Sequence, residues 1–242
     1  MSVLLDVRGV SKSFRGLKAV ADASFTIPEG SINALIGPNG AGKTTIFNMV
    51  AGVFPPDSGA IEFLGKEIQG LRPDQVCAAG IGRTFQIVKP FAGLSVLDNV
   101  VVGALLRSKN VSAAKSTAAE IIDKLGLGAK VDLPASSLTL PDRKRLEVAR
   151  ALATRPRLLL LDEVMAGLNP TECDLMVEVF RGLNRTEGLT ILLIEHVMRA
   201  VMALAQHIGD LHHGEVIARG TPDEIVRDPA VLECYLGEET EV

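Results

Sequence analysis

The chain has 242 residues, of which 47% are hydrophobic, which argues against a disordered chain and allows one large core. A formal net charge of −4, a single tyrosine and the absence of tryptophan argue against a nucleic-acid partner. Cys77, Cys173 and Cys234 are odd in number and far apart, which excludes a disulfide framework and fits a reducing compartment.

The N-terminal part of the chain is predicted to form strands. Strands are predicted at residues 4–14, 23–27 and 60–64, joined by turns, and they indicate an antiparallel sheet. Asp6 and Arg8 lie within the first apolar stretch, which is not the pattern of a signal peptide. No uncharged apolar run reaches about 18 residues, so a role at a membrane would depend on a partner.

Residues 37–45 match the phosphate-loop pattern G-x-x-x-x-G-K-[ST]. The motif requires a preceding strand and a following helix, which are predicted at 32–36 and 44–50. Glycines let the backbone curl around phosphate oxygens, which then face amide N–H groups and the helix N-terminus. Lys43 is expected to contact the β- and γ-phosphates of ATP, and the Thr44 hydroxyl to hold Mg²⁺. The predicted ATP-binding residues of the loop are Asn39, Gly40, Ala41, Gly42, Lys43, Thr44 and Thr45.

Phe14 and Val20 precede this loop and are predicted to contact the base of the nucleotide. An aromatic ring at position 14 could stack on the face of an adenine, with Val20 close behind it. The alternative is that Phe14 is an ordinary core residue.

Gln86 is predicted to lie at the end of a strand at 80–86. Its neutral amide can both donate and accept hydrogen bonds, so it could bind Mg²⁺ or orient a water molecule. In that position it could sense whether the γ-phosphate is present. An isolated glutamine is usually a surface residue, and this interpretation depends on the motifs that follow.

Residues 89–155 differ from the rest of the chain in their residue pattern and are predicted to form a helical subdomain. Ser95 with Asp98 resembles a capping box, although the β-branched run at 100–102 favours a strand instead. Further helices are predicted at 112–125 and 142–153.

This subdomain, 89–155, would be inserted into a nucleotide-binding core formed by residues 1–88 and 156–242. The third helix carries four basic residues that we interpret as a solvated face. They are Arg143, Lys144, Arg145 and Arg150.

Acidic and histidine side chains follow two apolar runs that are predicted as buried strands. Asp162 and Glu163 come directly after the leucines at 158–161, and His196 comes shortly after residues 190–194. Ligands bind at the carboxyl edge of such sheets. Asp162 is expected to support Mg²⁺, Glu163 to act as general base or to position water, and His196 to donate to a γ-phosphate oxygen.

The C-terminal part is predicted to contain helices at 172–183 and 199–205. Thr221 with Glu224 indicates the start of a further short helix. The last residues are acidic and are expected to be frayed.

Together these motifs resemble, in order along the whole chain, the ATP-binding subunits of ABC transporters. The resemblance implies an α/β fold: a P-loop NTPase (RecA-like) core with an antiparallel β subdomain and an inserted α-helical subdomain. It matches Phe14 to the adenine-stacking aromatic, Gln86 to the Q-loop and His196 to the switch histidine. Residues 158–163 match the Walker B strand with its catalytic Glu, and 166–169 match the D-loop. ATP hydrolysis with ATP and Mg²⁺ as cofactors is therefore implied.

Four stretches resemble more closely the ATPase subunits of branched-chain amino acid importers. They are residues 82–103, 158–172, 192–201 and 235–239. This resemblance implies an importer subunit for branched-chain amino acids or related small polar solutes.

The family resemblance also implies partners. Two such subunits meet head to tail, and each ATP lies between the phosphate loop of one subunit and the signature motif of the other. The implied partners are a homologous second ATPase subunit, forming a heterodimer, two transmembrane permeases and, indirectly, a solute-binding protein. The chain would be peripheral on the cytoplasmic face of the inner membrane. The Gln86 region and helical subdomain would dock on the permeases, with Arg83, Lys89, Pro90 and Phe91 as candidate contacts.

The signature segment departs from the family pattern Leu-Ser-Gly-Gly-Gln. Thr139 keeps a hydroxyl, Leu140 adds bulk, Pro141 lacks an N–H and Asp142 adds a negative charge. Proline is acceptable in the first turn of a helix, so we expect the helix to survive. We predict that the partner's ATP site, which this segment would complete, is weaker than the site built on residues 37–45.

Three other functions stay open. A DNA-repair or chromosome ATPase would carry coiled coils or a zinc module between the loop and the signature, where this chain has only about a hundred residues and no cysteine spacing. A small-molecule kinase would need an acceptor site and an Arg-rich lid. An ABC-type ATPase without permeases, with a regulatory role, is the remaining alternative.

Overall fold

The computed structural model describes residues 2–237, and the acidic end that we expected to be frayed lies outside them. A six-stranded sheet with the strand order β10-β9-β3-β8-β7-β6 forms the centre. The strands from β9 to β6 run parallel, and β10 pairs antiparallel with β9 at one edge. The bounds are β3 Ile32–Ile36, β6 Ile81–Arg83, β7 Leu158–Asp162, β8 Thr190–Ile194, β9 His207–His212 and β10 Glu215–Gly220.

A second sheet is antiparallel, as predicted, with the strand order β2-β1-β4-β5. Its strands are β1 Val3–Phe14, β2 Leu17–Pro28, β4 Ser58–Phe63 and β5 Lys66–Glu67. The second strand begins at Leu17 instead of at residue 23, because β1 and β2 form one long hairpin in which Phe14 pairs with Leu17.

The two faces of the central sheet bury different residues because side chains alternate along a strand. Leu159 and Leu161 face a core shared with the helices on one side. Leu158 and Leu160 face a second core, which also contains the helix after the phosphate loop and the antiparallel sheet. All five residues of β3, β7 and β8 are buried, which explains why these strands are continuous apolar runs.

Nine helices are described within residues 2–237. They are α1 Lys43–Val50, α2 Pro73–Ala79, α3 Val96–Ala104, α4 Val111–Lys124, α5 Leu140–Ala153, α6 Pro170–Glu187, α7 Met198–Leu204, α8 Pro222–Ile225 and α9 Pro229–Gly237. In the described part of the chain, none of them combines the length and the apolar character needed to cross a bilayer.

Residues 96–104 form a helix, α3, although the capping box and the strand propensity of its residues gave conflicting predictions. The Ser95 hydroxyl accepts from the Asp98 amide, so the helix begins there despite the β-branched run, which is helical. The valines Val96, Val100 and Val101 are buried in the core shared with α5. Tertiary packing therefore outweighs the strand propensity of these residues.

Two expectations were wrong. The strand predicted at 80–86 ends at Arg83, and Gln86 lies in the loop that follows. The basic residues of α5 do not form a solvated face, since Lys144 is buried and Arg150 is bound to Glu147 and to the Lys89 carbonyl. α5 is buried on more than one side, because it packs against α3 and α4 and also below the loop that follows β7. The predicted division at residues 88/89 and 155/156 stays a prediction.

Candidate nucleotide-binding site

The phosphate loop lies between β3 and α1, which is the context that the motif requires. Gly37 and Gly42 both have positive φ, 137° and 103°. A Cβ at Gly37 would overlap the carbonyl oxygen of Leu211, and one at Gly42 would lie 2.5 Å from that of Ala19. Glycine is therefore required at both positions by the backbone conformation and by the neighbouring main chain.

Lys43 is folded back over this loop. Its ammonium donates to the carbonyl oxygens of Gly37 and Pro38, at 2.5 and 2.8 Å. Burial lowers the pKa of Lys43, while the charges of Glu163 and Asp210 oppose the shift. A phosphate would compete for the ammonium with these neutral carbonyls, and charge-assisted bonds are the stronger ones.

Asp162 ends β7 with one carboxylate oxygen paired and one oxygen available. Oδ2 accepts from Arg83 at 2.9 Å, whereas Oδ1 is buried and has no partner within residues 2–237. Arg83 also donates to Asn48, on the helix that follows the phosphate loop. An orphaned carboxylate oxygen at this edge fits a Mg²⁺ ion or its bound water. Thr44 is exposed in the first turn of α1.

Glu163, Gln86 and His196 come together at the tips of three neighbouring segments. Gln86 Nε2 donates to Glu163 Oε2 at 2.7 Å, and His196 Nδ1 lies 3.9 Å from the same oxygen. Glu163 has φ of 48°, in the left-handed region, and its amide donates to the Ile194 carbonyl on β8. A non-glycine residue held in this conformation at a strand tip is typical of functional sites.

Lys144 and Glu195 support this turn, and the sequence analysis missed both. Lys144 Nζ donates to the Glu163 carbonyl at 3.0 Å, and Glu195 Oε1 accepts from the Met165 amide at 2.8 Å. Burial lowers the pKa of Lys144 and raises the pKa of Glu195. A signal for Lys144 was present, since it lies four residues before the buried Val148 on one face of α5.

Comparisons with known proteins agree with this geometry. The family model described as ABC transporter matches residues 20–166. The chain belongs to the ABC transporter ATP-binding proteins. A second model, described as branched-chain amino acid ATP-binding cassette transporter, matches residues 215–241. ABC ATPases bind and hydrolyse ATP, so the chain is an ATP hydrolase.

Individual relatives span nearly the whole chain. LivG of Salmonella typhimurium, a high-affinity branched-chain amino acid transport ATP-binding protein, is 39% identical over 250 residues, covering 97% of this chain and 98% of LivG. BraF of Pseudomonas aeruginosa, which bears the same description, is 37% identical over 252 residues, with 97% and 98% covered. A solved ATP-binding cassette in its ADP conformation is 28% identical, with a TM-score of 0.89 and coverage of 98% and 100%.

Phe14 and Val20 differ in what they offer to a nucleotide in this ABC cassette. Phe14 is 43% exposed and packs edge-to-face on Phe54, with ring centroids 5.3 Å apart, so it is not a core residue. Its contact with adenine stays a prediction. Val20 has no exposed surface and packs beneath Gly42. Val20 therefore supports the loop from below, and the expected side-chain contact with the base is not available in this conformation.

The signature segment of this cassette starts α5 as expected, with Pro141 in its first turn. Leu140 is exposed, whereas Asp142 is buried and accepts from Thr139 Oγ1 at 2.7 Å and from Lys130. Burial raises the pKa of Asp142, but the hydrogen bonds from Lys130 and Thr139, together with the charges of Lys130 and Arg145, hold that pKa below its ordinary value. The negative charge that Asp142 was expected to add is therefore neutralised within the chain by Lys130.

Proposed function

We propose that the chain is the ATP-binding and hydrolysing subunit of an ABC importer for branched-chain amino acids or related small polar solutes. The observation that carries the proposal is the match of residues 215–241 to the branched-chain cassette model, beyond the phosphate loop and strand tips that all ABC ATPases share. The full-length similarity to LivG and BraF supports it further.

The phosphate loop would bind the triphosphate, with Lys43 on its β- and γ-phosphates and Phe14 on the adenine. A bound Mg²⁺ would neutralise part of the charge of the triphosphate. The residues that would hold it are Thr44, Gln86 and Asp162, and the orphaned Oδ1 of Asp162 supports this assignment.

Hydrolysis would depend on the three side chains that meet at the strand tips. Glu163 would accept a proton from the attacking water or position that water, and Gln86 holds the Glu163 carboxylate at 2.7 Å. His196 is exposed and would donate to a γ-phosphate oxygen.

Two kinds of partner are part of the proposal. A homologous second ATPase subunit would pair head to tail, so that Thr139, Leu140, Pro141 and Asp142 lie over its nucleotide. ATP would favour the closed dimer over the open one, and only this difference in affinity could drive the permeases.

A groove beside the Gln86 loop supports a permease contact. The groove has a volume of about 280 Å³ and lies between the core and α3, with Phe85 and Val102 in its lining. Phe85 in this lining is exposed, as are Ile87 and Phe91 in the loop that follows β6, and exposed apolar side chains on neighbouring residues are typical of interaction sites. Arg83 does not fit the role that we expected for it, because it is engaged with Asp162 and Asn48. This contact would hold the chain on the cytoplasmic face of the inner membrane.

The proposal is tested with the assembled transporter. Permeases and partner ATPase co-purifying with the chain are identified and reconstituted in liposomes with the solute-binding protein. We expect leucine, isoleucine or valine to stimulate ATP hydrolysis. The same complex with Glu163→Gln gives the background rate of hydrolysis. If urea, an amide or an aromatic acid stimulates hydrolysis instead, that compound is the transported solute, and the assignment to branched-chain amino acids is wrong. Stimulation of the isolated chain by DNA, with no response to permeases, would overturn the proposal.

A further inference from the structure

A cavity of about 760 Å³ borders the phosphate loop and shares no lining residue with the permease groove. One wall consists of loop residues, among them Asn39 and Gly40, which are exposed. The opposite wall is formed by the end of β9 and by α9, with His212 and Cys234. None of these wall residues from β9 and α9 has a role in the ATP site described above.

Cys234 and His212 form a thiol–imidazole pair in this cavity. Cys234 Sγ lies 2.9 Å from His212 Nδ1, and both residues are partly exposed. An imidazole at this distance can take the thiol proton and hold the thiolate, which is the nucleophilic form. Cys173 contrasts with this pair, since its sulfur faces the Met165 and Leu168 carbonyls and burial raises the pKa of its thiol.

The segment that carries His212 is attached to the phosphate loop on both sides. Before it, Leu211 packs its carbonyl against Gly37 so closely that no Cβ would fit. After it, the Gly214 amide donates to the Ala41 carbonyl at 3.0 Å. A displacement of His212 would therefore be transmitted to the loop backbone at both of these positions.

We propose that Cys234, with His212 as its base, is a modification site for low-molecular-weight disulfides, and that the mixed disulfide weakens nucleotide binding at the adjacent loop. His212 takes the thiol proton, and the thiolate attacks one sulfur of the small disulfide. A new sulfur–sulfur bond forms as the original one breaks, and the leaving thiolate takes the proton. Cys234 is oxidised to the mixed disulfide while the small disulfide is reduced to one thiol.

Nucleotide binding is weakened in two ways. The added group occupies the cavity beside Asn39 and Gly40 and presses on the His212 segment, which contacts the loop at Gly37 and Ala41. A glutathionyl group also carries carboxylates, whose negative charge repels the phosphates of a nucleotide at this short range.

The test uses glutathione disulfide on the purified chain, with the modified cysteine identified by peptide mass spectrometry. We expect Cys234 to react about tenfold faster than Cys77 or Cys173 in the same molecule, because among residues 2–237 only its thiol is paired with an imidazole at hydrogen-bond distance. His212→Gln should slow the Cys234 reaction about tenfold. His207→Gln is the matched control, since His207 is exposed at the other end of β9, does not line this cavity and should leave the rate unchanged.

Nucleotide affinity is measured with a fluorescent ADP analogue before and after modification. Modified wild type should bind roughly tenfold more weakly and recover with dithiothreitol, as expected for one added like charge and a displaced loop. Cys234→Ser, checked for folding by thermal melting, should bind normally and resist glutathione disulfide. Equal reactivity of the three cysteines, or an unchanged affinity after complete modification of Cys234, would overturn the proposal. Failure of the unmodified chain to bind the analogue would count against the ATPase assignment instead.

Discussion

Lys144 donates from Nζ to the carbonyl oxygen of Glu163 at 3.0 Å, and so connects the helix of the signature segment to the main chain of the proposed catalytic carboxylate. Glu195 holds the Met165 amide on the other side of the same turn. Both groups are buried and oppositely charged, and each lowers the cost of burying the other. The left-handed conformation of Glu163 is thus stabilised from two directions.

Replacing Lys144 tests this support. Lys144→Met removes the donor and should lower kcat roughly tenfold or more with little change in the KM for ATP, because the carboxylate is displaced while the phosphate loop is intact. Lys144→Arg should restore much of the lost kcat, since it can still donate. Steady-state ATPase measurements on the assembled complex distinguish these cases. Equal kcat values for Lys144→Met and the exposed control Lys115→Met would contradict the role.

Glu163→Gln should keep ATP bound but lose roughly two or more decades of turnover, because the amide cannot accept the proton of water. Nucleotide retention and single-turnover hydrolysis are measured on the same preparation. Hydrolysis at the wild-type rate would remove Glu163 from its proposed role.

Lys43→Ala should weaken ATP binding roughly ten- to a hundredfold, the amount expected for losing a hydrogen bond to a charged group. The comparison is Lys115→Ala, an exposed lysine on α4 that is expected to bind nucleotide normally. Equilibrium binding of ATP is the readout, and identical affinities for the two variants would be evidence against the contact.

Asp210 predicts a pH dependence of stability. It is fully buried, neither carboxylate oxygen has a hydrogen-bond partner in the described chain, and burial raises its pKa to about 6 against the opposing charge of Lys43. Because the folded pKa exceeds the unfolded one, the protonated form stabilises the fold at low pH, and this contribution is lost as pH rises through about 6.

Asp210→Asn should therefore raise the free energy of unfolding above pH 6 by up to about 3 kcal/mol, and the gain should shrink between pH 6 and 4. Urea unfolding of the nucleotide-free chain across this range gives the measurement. Asp132→Asn, an exposed change of the same chemistry, is the control. A gain that does not vary with pH would argue against the shifted carboxyl.

The altered signature segment predicts two unequal ATP sites in the assembled dimer. Where a partner's nucleotide would bind, Leu140 places a bulky exposed side chain and Pro141 offers no backbone N–H. The charge of Asp142, in contrast, is neutralised by Lys130. Glu163→Gln should therefore cost more activity than the equivalent change in the partner ATPase. Equal losses, with equal residual nucleotide occupancy, would contradict the asymmetry.

The sequence predicted the parts of the fold and of the site that depend on local patterns. The phosphate loop, the caps at Ser95 and Thr221 and the strand end at Asp162 each involve residues within a few positions of one another. His196 followed from its place after a predicted buried strand, whereas Gln86 depended on the whole set of motifs and on the family resemblance.

The features that the sequence could not predict depend on contacts between residues that are far apart in the chain. Lys144 reaches Glu163 only because α5 packs beneath the loop after β7, and in sequence it is one basic residue in a run of three. Val20 was expected at the base but lies under the loop, because β2 is longer than its pattern indicated. Asp210 belongs to no motif, and its burial follows from the position of β9 beside β3.

The contact between Gly37 and Leu211 has a consequence for mutational tolerance. Gly40 shares the positive φ of Gly37, yet an added methyl group would meet no atom within 4 Å, so alanine there should cost only backbone strain. Alanine at Gly37 would have to displace the main chain of another strand. The conformation of this loop therefore depends on β9 beside it. Residues 37–45 transplanted alone into a different sheet would not keep this conformation.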